Sequence, residues 1–189
     1  MAWQTLQFRL TGDAPFIMHN SQTADPLNKF SKAMKAISGK RKKTDSDLEE
    51  LARIEFLAGL YMGETGPVVP AMVVDACIIN AAKRSKEGMI AKSGFFASSN
   101  APLEYDGPRT ADELWQDDRF RLSVPVRVQS ARVIRTRPIF HEWAVTATVQ
   151  YEDSVVTAAA VAGWFAIAGA LVGVGDWRPR YGRFQATRL

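Results

Sequence analysis

The loop from Gly173 to Arg183 combines the residue types that bind a nucleic-acid backbone. Its glycines permit backbone angles and close approaches that a Cβ atom would prevent. Its arginines offer forked N–H donors suited to phosphate oxygens, and its two aromatic rings offer faces for unpaired bases. The residues are Gly173, Gly175, Trp177, Arg178, Arg180, Tyr181, Gly182 and Arg183. This spacing predicts a grip on a single strand, and the alternative is a helix-to-strand connection with capping glycines and solvated arginines.

Three other groups of cations extend this prediction. The run Lys40–Lys43 can meet successive phosphates, although it also fits a solvated loop tip. Lys83 and Arg84 close a predicted helix, where the macrodipole also favours cations. Four further arginines lie on a predicted hairpin at positions 127, 132, 135 and 137, and their alternative role is ion pairing with the acidic cluster around Asp112. The predicted nucleic-acid-binding residues are Lys40, Arg41, Lys42, Lys43, Lys83, Arg84, Arg135, Arg137, Trp177, Arg178, Arg180, Tyr181 and Arg183.

Two histidines raise the question of catalysis. His19 follows the first predicted strand, and His141 lies in a predicted turn, so either is a candidate general base. No Ser-His-Asp order, Walker loop or metal-ligand spacing accompanies them. The pair Gly173-x-Gly175 precedes a strand, which is the wrong context for a dinucleotide fingerprint. We therefore predict no catalytic residue, no metal site and no cofactor, and keep a metal-independent endoribonuclease using His19 or His141 as the alternative.

Composition indicates a globular cytoplasmic protein. The 189 residues carry a net charge of +4, and the basic balance permits an anionic partner. The single Cys77 excludes an internal disulfide and indicates a buried thiol. The first ten residues lack the apolar stretch of a signal peptide. Residues 154–175 are uncharged but rich in alanine and glycine, which predicts a buried helix and no membrane partner.

Hydrophobic periodicity predicts an α+β protein. Apolar and polar residues alternate over residues 3–10, which predicts a strand. Three helices are predicted next: one over 26–39, one that begins at a Ser46–Glu49 capping box, and one after Pro70. Residues 88–118 show no stable period, which predicts an extended insertion or flexible loop. Alternation from Val124 to Tyr151 predicts a long antiparallel hairpin whose turn begins at Pro138. The alanine-rich helix and a strand over 184–189 complete the chain.

Two of these segments resemble a known family. Val68-Val69-Pro70 opens a helix that ends in Lys83-Arg84, which resembles a signature of the RAMP superfamily, the RRM-like proteins of CRISPR effector complexes. The glycines and arginines of 173–183 resemble the glycine-rich loop of that family. The ending from Gly175 to Phe184 also resembles small proteins of phages and prophages.

The resemblance implies a fold and a partner. The fold is α+β, with a ferredoxin-like antiparallel sheet, helices on one face, and a single domain over 1–189 with insertions at about 20–66 and 88–118. The implied partner is single-stranded RNA or DNA, bound by a homo-oligomer that assembles along the strand. A phage structural or anti-defence protein that binds a host protein is the remaining alternative.

Overall fold

The computed structural model describes residues 2–129 and 131–189. These residues form two compact units. We call them the sheet unit (residues 2–17, 62–106 and 140–189) and the hairpin unit (residues 18–61, 107–129 and 131–139). A single domain over the whole chain stays a prediction.

Both units contain helices and strands. The helices are α1 (Lys29–Ser38), α2 (Asp45–Gly59), α3 (Ala71–Arg84), α4 (Gly88–Gly94), α5 (Ala111–Gln116) and α6 (Ala158–Ile167). The strands are β1 (Trp3–Gly12), β2 (Phe16–Ile17), β3 (Met62–Gly63), β4 (Gly66–Val69), β5 (Phe95–Ala97), β6 (Ala101–Pro102), β7 (Arg121–Val128), β8 (Ala131–Phe140), β9 (Ala144–Glu152) and β10 (Phe184–Arg188). The predicted α+β class with antiparallel sheets is confirmed.

The core of the sheet unit lies against one face of a four-stranded antiparallel sheet. The strands are ordered β10-β1-β9-β5. Along β1, Leu6, Phe8 and Leu10 are buried while the residues between them are largely open to solvent, so alternation separates a core face from an outer face. Phe8 stacks on Phe165 of α6, with ring centroids 4.1 Å apart, and both rings are fully buried. Helix α6 therefore covers part of the core face, and α3 packs against α6 and β5.

The expected flexible loop over 88–118 is wrong for residues 88–97 and 111–116, and the insertion stays a prediction. Residues 88–94 form α4, and β5 pairs with β9 through Phe95↔Tyr151 and Ala97↔Val149. Phe95 and Ala97 are buried in the sheet. A three-residue strand is too short for alternation to identify it, and its position depends on its partner strand.

Helix α3 confirms the prediction after Pro70. Its buried side chains include Val74, Cys77, Ile78 and Ala81, one face of a helix. The Cys77 thiol donates to the Gly173 carbonyl oxygen at 3.1 Å. Burial raises the pKa of this thiol to about 12, against a smaller lowering effect of the Arg178 charge. Cys77 is therefore a core residue without thiolate chemistry at neutral pH.

The hairpin unit differs from its prediction in two places. Strand β8 pairs with β7 from Val128↔Ala131 to Arg121↔Pro138, so Pro138 lies inside a paired strand and the predicted turn at Pro138 is wrong. A proline loses only its N–H donor, and the Pro138 carbonyl still accepts from the Met18 N–H at 3.1 Å. Strand β9 pairs with β1 instead of continuing the hairpin.

The capping box of α2 lies two residues earlier than predicted. Thr44, with extended backbone angles, is the N-cap, and its hydroxyl accepts from the Asp47 N–H at 3.2 Å. The Asp47 carboxylate accepts from the Thr44 N–H at 3.0 Å in return. Aspartate thus fills the role that the sequence assigned to Glu49.

The residues that the structure describes contain neither a membrane-spanning helix nor a metal-binding group of side chains. Across residues 2–129 and 131–189, no helix is both long and apolar enough to cross a bilayer. The same residues hold no group of three or more His, Cys, Asp or Glu side chains placed to bind a metal ion.

Candidate nucleic-acid interface

One cleft of the sheet unit gathers predicted residues from two separate segments. Lys83 and Arg84 come from the last turn of α3, and Trp177 and Arg178 come from the 173–183 loop. The cleft has a volume of about 700 Å³ and is open to solvent. We call it the basic cleft. Residues more than 90 positions apart in sequence thus meet at one surface.

Positive charge predominates in the basic cleft. Its lining holds three cations and one carboxylate, Asp176. The Lys83 ammonium donates to the Asn80 amide oxygen at 3.0 Å, and an Arg178 guanidinium nitrogen lies 3.5 Å from the Gly173 carbonyl oxygen. Within the described residues, neither Lys83, Arg84 nor Arg178 forms an ion pair with a carboxylate. The three cations therefore remain available to an anionic ligand.

Trp177 is held in an unusual backbone conformation beside these cations. Its φ is +49°, in the left-handed region that bulky residues rarely adopt, at a cost of roughly 1–3 kcal/mol. Its N–H donates to the Asp176 carboxylate at 2.9 Å, and its ring centroid lies 6.2 Å from that of Tyr181. The ring is only partly buried. The surrounding loop thus maintains a strained residue whose ring lines a cleft.

The glycines of the loop shape the loop itself. Gly173, Gly175 and Gly182 have φ values of +78°, +86° and +72°. A Cβ on Gly173 would lie 2.7 Å from the Tyr181 carbonyl oxygen, and one on Gly182 would overlap the Val174 carbonyl. The sequence predicted that a ligand would approach the backbone closely at these glycines. The atoms that approach Gly173 and Gly182 closely are instead backbone atoms of the same loop, so a ligand would be bound by the side chains.

Backbone hydrogen bonds fix the loop to the N-terminal segment. The Val174 N–H donates to the Gly182 carbonyl, and the Gly182 N–H donates to the Pro15 carbonyl, each at 2.8 Å. The Asp176 N–H donates to the Ile17 carbonyl at 3.0 Å. These bonds close the loop at its base and fix the backbone that carries Trp177 and Arg178.

The other predicted loop residues lie outside the basic cleft. Arg180 and Arg183 are exposed, and Tyr181 is partly buried against Trp177. The Arg183 carbonyl accepts from the N–H groups of Asp13 and Ala14. These residues extend the cationic loop without lining its cleft.

The run Lys40–Lys43 connects α1 and α2 in the hairpin unit. All four side chains are exposed. The Lys40 ammonium donates to the Asp47 carboxylate, and this bond, with the Thr44 N–H, lowers the pKa of Asp47 to about 2. The Lys43 ammonium donates to the Lys40 carbonyl at 3.2 Å. Lys40 therefore stabilises the N-terminus of α2 through Asp47.

The hairpin arginines divide between the two faces of the hairpin. The pairing Arg127↔Arg132 places those two on one face, and position parity places Arg135 and Arg137 on the other. Arg135 and Arg137 donate to the Glu55 carboxylate at 3.3 and 2.8 Å. The predicted alternative of ion pairs with the cluster around Asp112 is wrong for these two.

A second cavity, of about 290 Å³, lies within the hairpin unit and is lined by both of these arginines. Glu55, Thr23 and His19 line it too, and the His19 Nε2 atom lies 3.4 Å from an Arg137 guanidinium nitrogen. We call it the arginine cavity. His141 is exposed and lines neither cavity.

The lining residues that were not predicted include Asn80, Asp176 and Glu55. Asn80 precedes Lys83 and Arg84 by three and four positions, so helical spacing alone could have placed it on their face. Asp176 is the acidic residue inside the basic loop. Glu55 carries no comparable signal, because its partners depend on the register of β8.

Comparison of the chain with protein-family models and with curated proteins finds no significant match.

Proposed function

We propose that the chain binds single-stranded RNA or DNA in the basic cleft, without catalysing a reaction. The observation that carries the proposal is the convergence of Lys83, Arg84 and Arg178 on one open cleft beside the ring of Trp177. Cations that face solvent can replace the counterions of a phosphate backbone. An adjacent aromatic face adds a stacking surface that every base can use.

The topology of the sheet unit supports the RRM-like core that we propose for it. Along the chain its main elements run β1-α3-β5-β9-α6-β10. Their order in the sheet is β10-β1-β9-β5. A ferredoxin-like fold has this β-α-β-β-α-β succession, and we propose that fold and a RAMP-like relationship on this basis. Assembly into a homo-oligomer along the strand stays a prediction.

A single strand fits this site better than a duplex. Stacking on Trp177 needs the face of a base, and a duplex buries base faces inside its own stack. The cleft also presents its cations from a helix end and one loop, without a helix or ribbon placed to enter a major groove. We therefore expect single strands to be preferred.

Replacing Trp177 by alanine tests the stacking role. We expect affinity for a labelled single strand to fall by roughly 1–3 kcal/mol, with little change in its salt dependence, because a ring carries no charge. Fluorescence anisotropy with single-stranded RNA, single-stranded DNA and duplex measures this, and Trp177→Phe, which keeps an aromatic face, is the matched control. Equal affinity of the wild type and Trp177→Ala would remove stacking from the account.

The endoribonuclease alternative has one observation in its favour. His19 lies in the arginine cavity, near two guanidiniums that could hold a scissile phosphate. Incubation with labelled RNA without metal is expected to leave the strand intact. Cleavage that disappears in His19→Ala would favour the enzyme instead.

A further inference from the structure

The arginine cavity of the hairpin unit has the lining of an anion site. Arg135 and Arg137 reach it from β8, and His19 and Thr23 reach it from the segment before α1. All four side chains carry groups that can donate hydrogen bonds. We propose that this cavity binds a phosphate or phosphate monoester dianion, an inference that does not rest on single-strand binding by the basic cleft.

The charge of the lining supports an anionic ligand. Two guanidiniums and one carboxylate line the cavity, so positive charge exceeds negative charge there even with a neutral imidazole. Arg137 is only 7% exposed, and an ionic interaction in such a site is less screened by solvent than one at the surface. The attraction on an entering anion is therefore less screened than at the exposed lysine run.

The cavity is also organised before a ligand enters. The Glu55 carboxylate accepts from Arg135 and Arg137, and also from the Thr136 N–H at 3.0 Å, which orients both guanidiniums. In the segment before α1, Asn20 caps a short 3₁₀ turn by accepting from the Gln22 N–H at 3.1 Å, and its amide donates to the Leu60 carbonyl. These bonds fix the backbone that carries His19 and Thr23. Glu55 is thus a positioning residue for the two arginines.

Size and donor number favour phosphate. A volume of about 290 Å³ lies at the lower limit of small-molecule sites, roughly 300–1,000 Å³, so it suits a phosphate with a small substituent. Hydrogen-bond donors reach the cavity from two segments of the chain. The three terminal oxygens of a phosphate monoester can accept from more of these donors than the two oxygens of a carboxylate can. Arginine forks match phosphate geometry.

Titration of the full chain with inorganic phosphate tests the proposal. We expect saturable binding by calorimetry, weakened about ten- to hundred-fold by Arg135→Gln, because a charge-assisted donor is lost. Arg135→Lys keeps the charge without the fork and should lie between the two. The matched control is Arg132→Gln, which removes the same charge from the same strand on the opposite, exposed face and should bind like the wild type.

Further titrations separate the sources of phosphate. A 5′-phosphorylated oligonucleotide that binds at least ten-fold more tightly than its 5′-hydroxyl form, with the gain lost in Arg135→Gln, identifies a strand terminus. Phosphate binding without that gain identifies a small phosphorylated metabolite. No saturable phosphate binding, or equal loss in Arg135→Gln and Arg132→Gln, would overturn the proposal. Because neither variant touches the basic cleft, single-strand binding is tested separately.

Discussion

Replacing Glu55 by alanine is expected to lower the free energy of unfolding by about 3–5 kcal/mol. Glu55 and Arg137 are both mostly buried, with side chains 13% and 9% exposed, and their closest atoms lie 2.8 Å apart. The substitution removes the carboxylate that two guanidiniums and the Thr136 N–H share. The two guanidiniums and the Thr136 N–H still lose hydration on folding, and no carboxylate then offsets the free-energy cost of that loss. Chemical denaturation of the two proteins measures the difference.

A carboxylate on the exposed side of the same helix provides the control. Glu49 lies on α2, faces solvent and has no ion pair among the described residues. Glu49→Ala should change the free energy of unfolding by less than about 0.5 kcal/mol. If Glu55→Ala is as mild as this control, the buried ion pair contributes little and the arginines of the cavity are not held by Glu55.

Replacing Gly182 by alanine is also expected to destabilise the protein strongly. Gly182 has a φ of +72°, where an L-residue is strained by roughly 1–3 kcal/mol. Its new Cβ would overlap the Val174 carbonyl, and overpacking adds roughly 1–3 kcal/mol. The Val174 N–H also donates to the Gly182 carbonyl, so a shift of either residue disturbs the base of the loop. We expect a loss of about 2–6 kcal/mol in thermal or denaturant unfolding.

Gly163 offers a control with the opposite sign. It lies within α6, and a Cβ built there meets no atom within 4 Å. Gly163→Ala should therefore stabilise the protein by roughly 0.5–1 kcal/mol, since alanine has the better helix propensity. Stabilisation by both substitutions, or tolerance of Gly182→Ala, would contradict the packing of the loop.

Periodicity was enough to predict β1 and α3, but not the short strand β5 or the position of Pro138 inside β8. Strand β1 and helix α3 bury residues at regular intervals of two and of three to four, so their patterns identify them directly. Strand β5 has three residues, and its place in the sheet depends on hydrogen bonds to β9, a partner about 50 positions away in sequence. Pro138 was misleading because a strand can accept a proline where its carbonyl alone is needed.

The site was predictable in its residue types but not in its grouping. The cations of α3 and of the 173–183 loop were identified separately, and only the fold brings Lys83, Arg84 and Arg178 to one cleft. Arg135 and Arg137 were predicted to grip a backbone at the surface, yet Arg137 is buried beside Glu55. Which face of a strand is buried depends on register, which a cluster of charges in the sequence does not reveal.

The salt dependence of single-strand binding distinguishes a phosphate-binding basic cleft from a solvated one. We compare the wild type with Arg84→Ala/Arg178→Ala, which removes two cations of the basic cleft, and with Lys32→Ala/Lys92→Ala, which removes two exposed cations elsewhere. For single strands each phosphate contact contributes about 0.7 to the slope of log affinity against log salt, so the first variant should lose about 1.4. The control variant should keep the wild-type slope. Equal slopes in all three proteins, or no binding of the wild type to either single strand at low salt, would contradict a nucleic-acid site in the basic cleft.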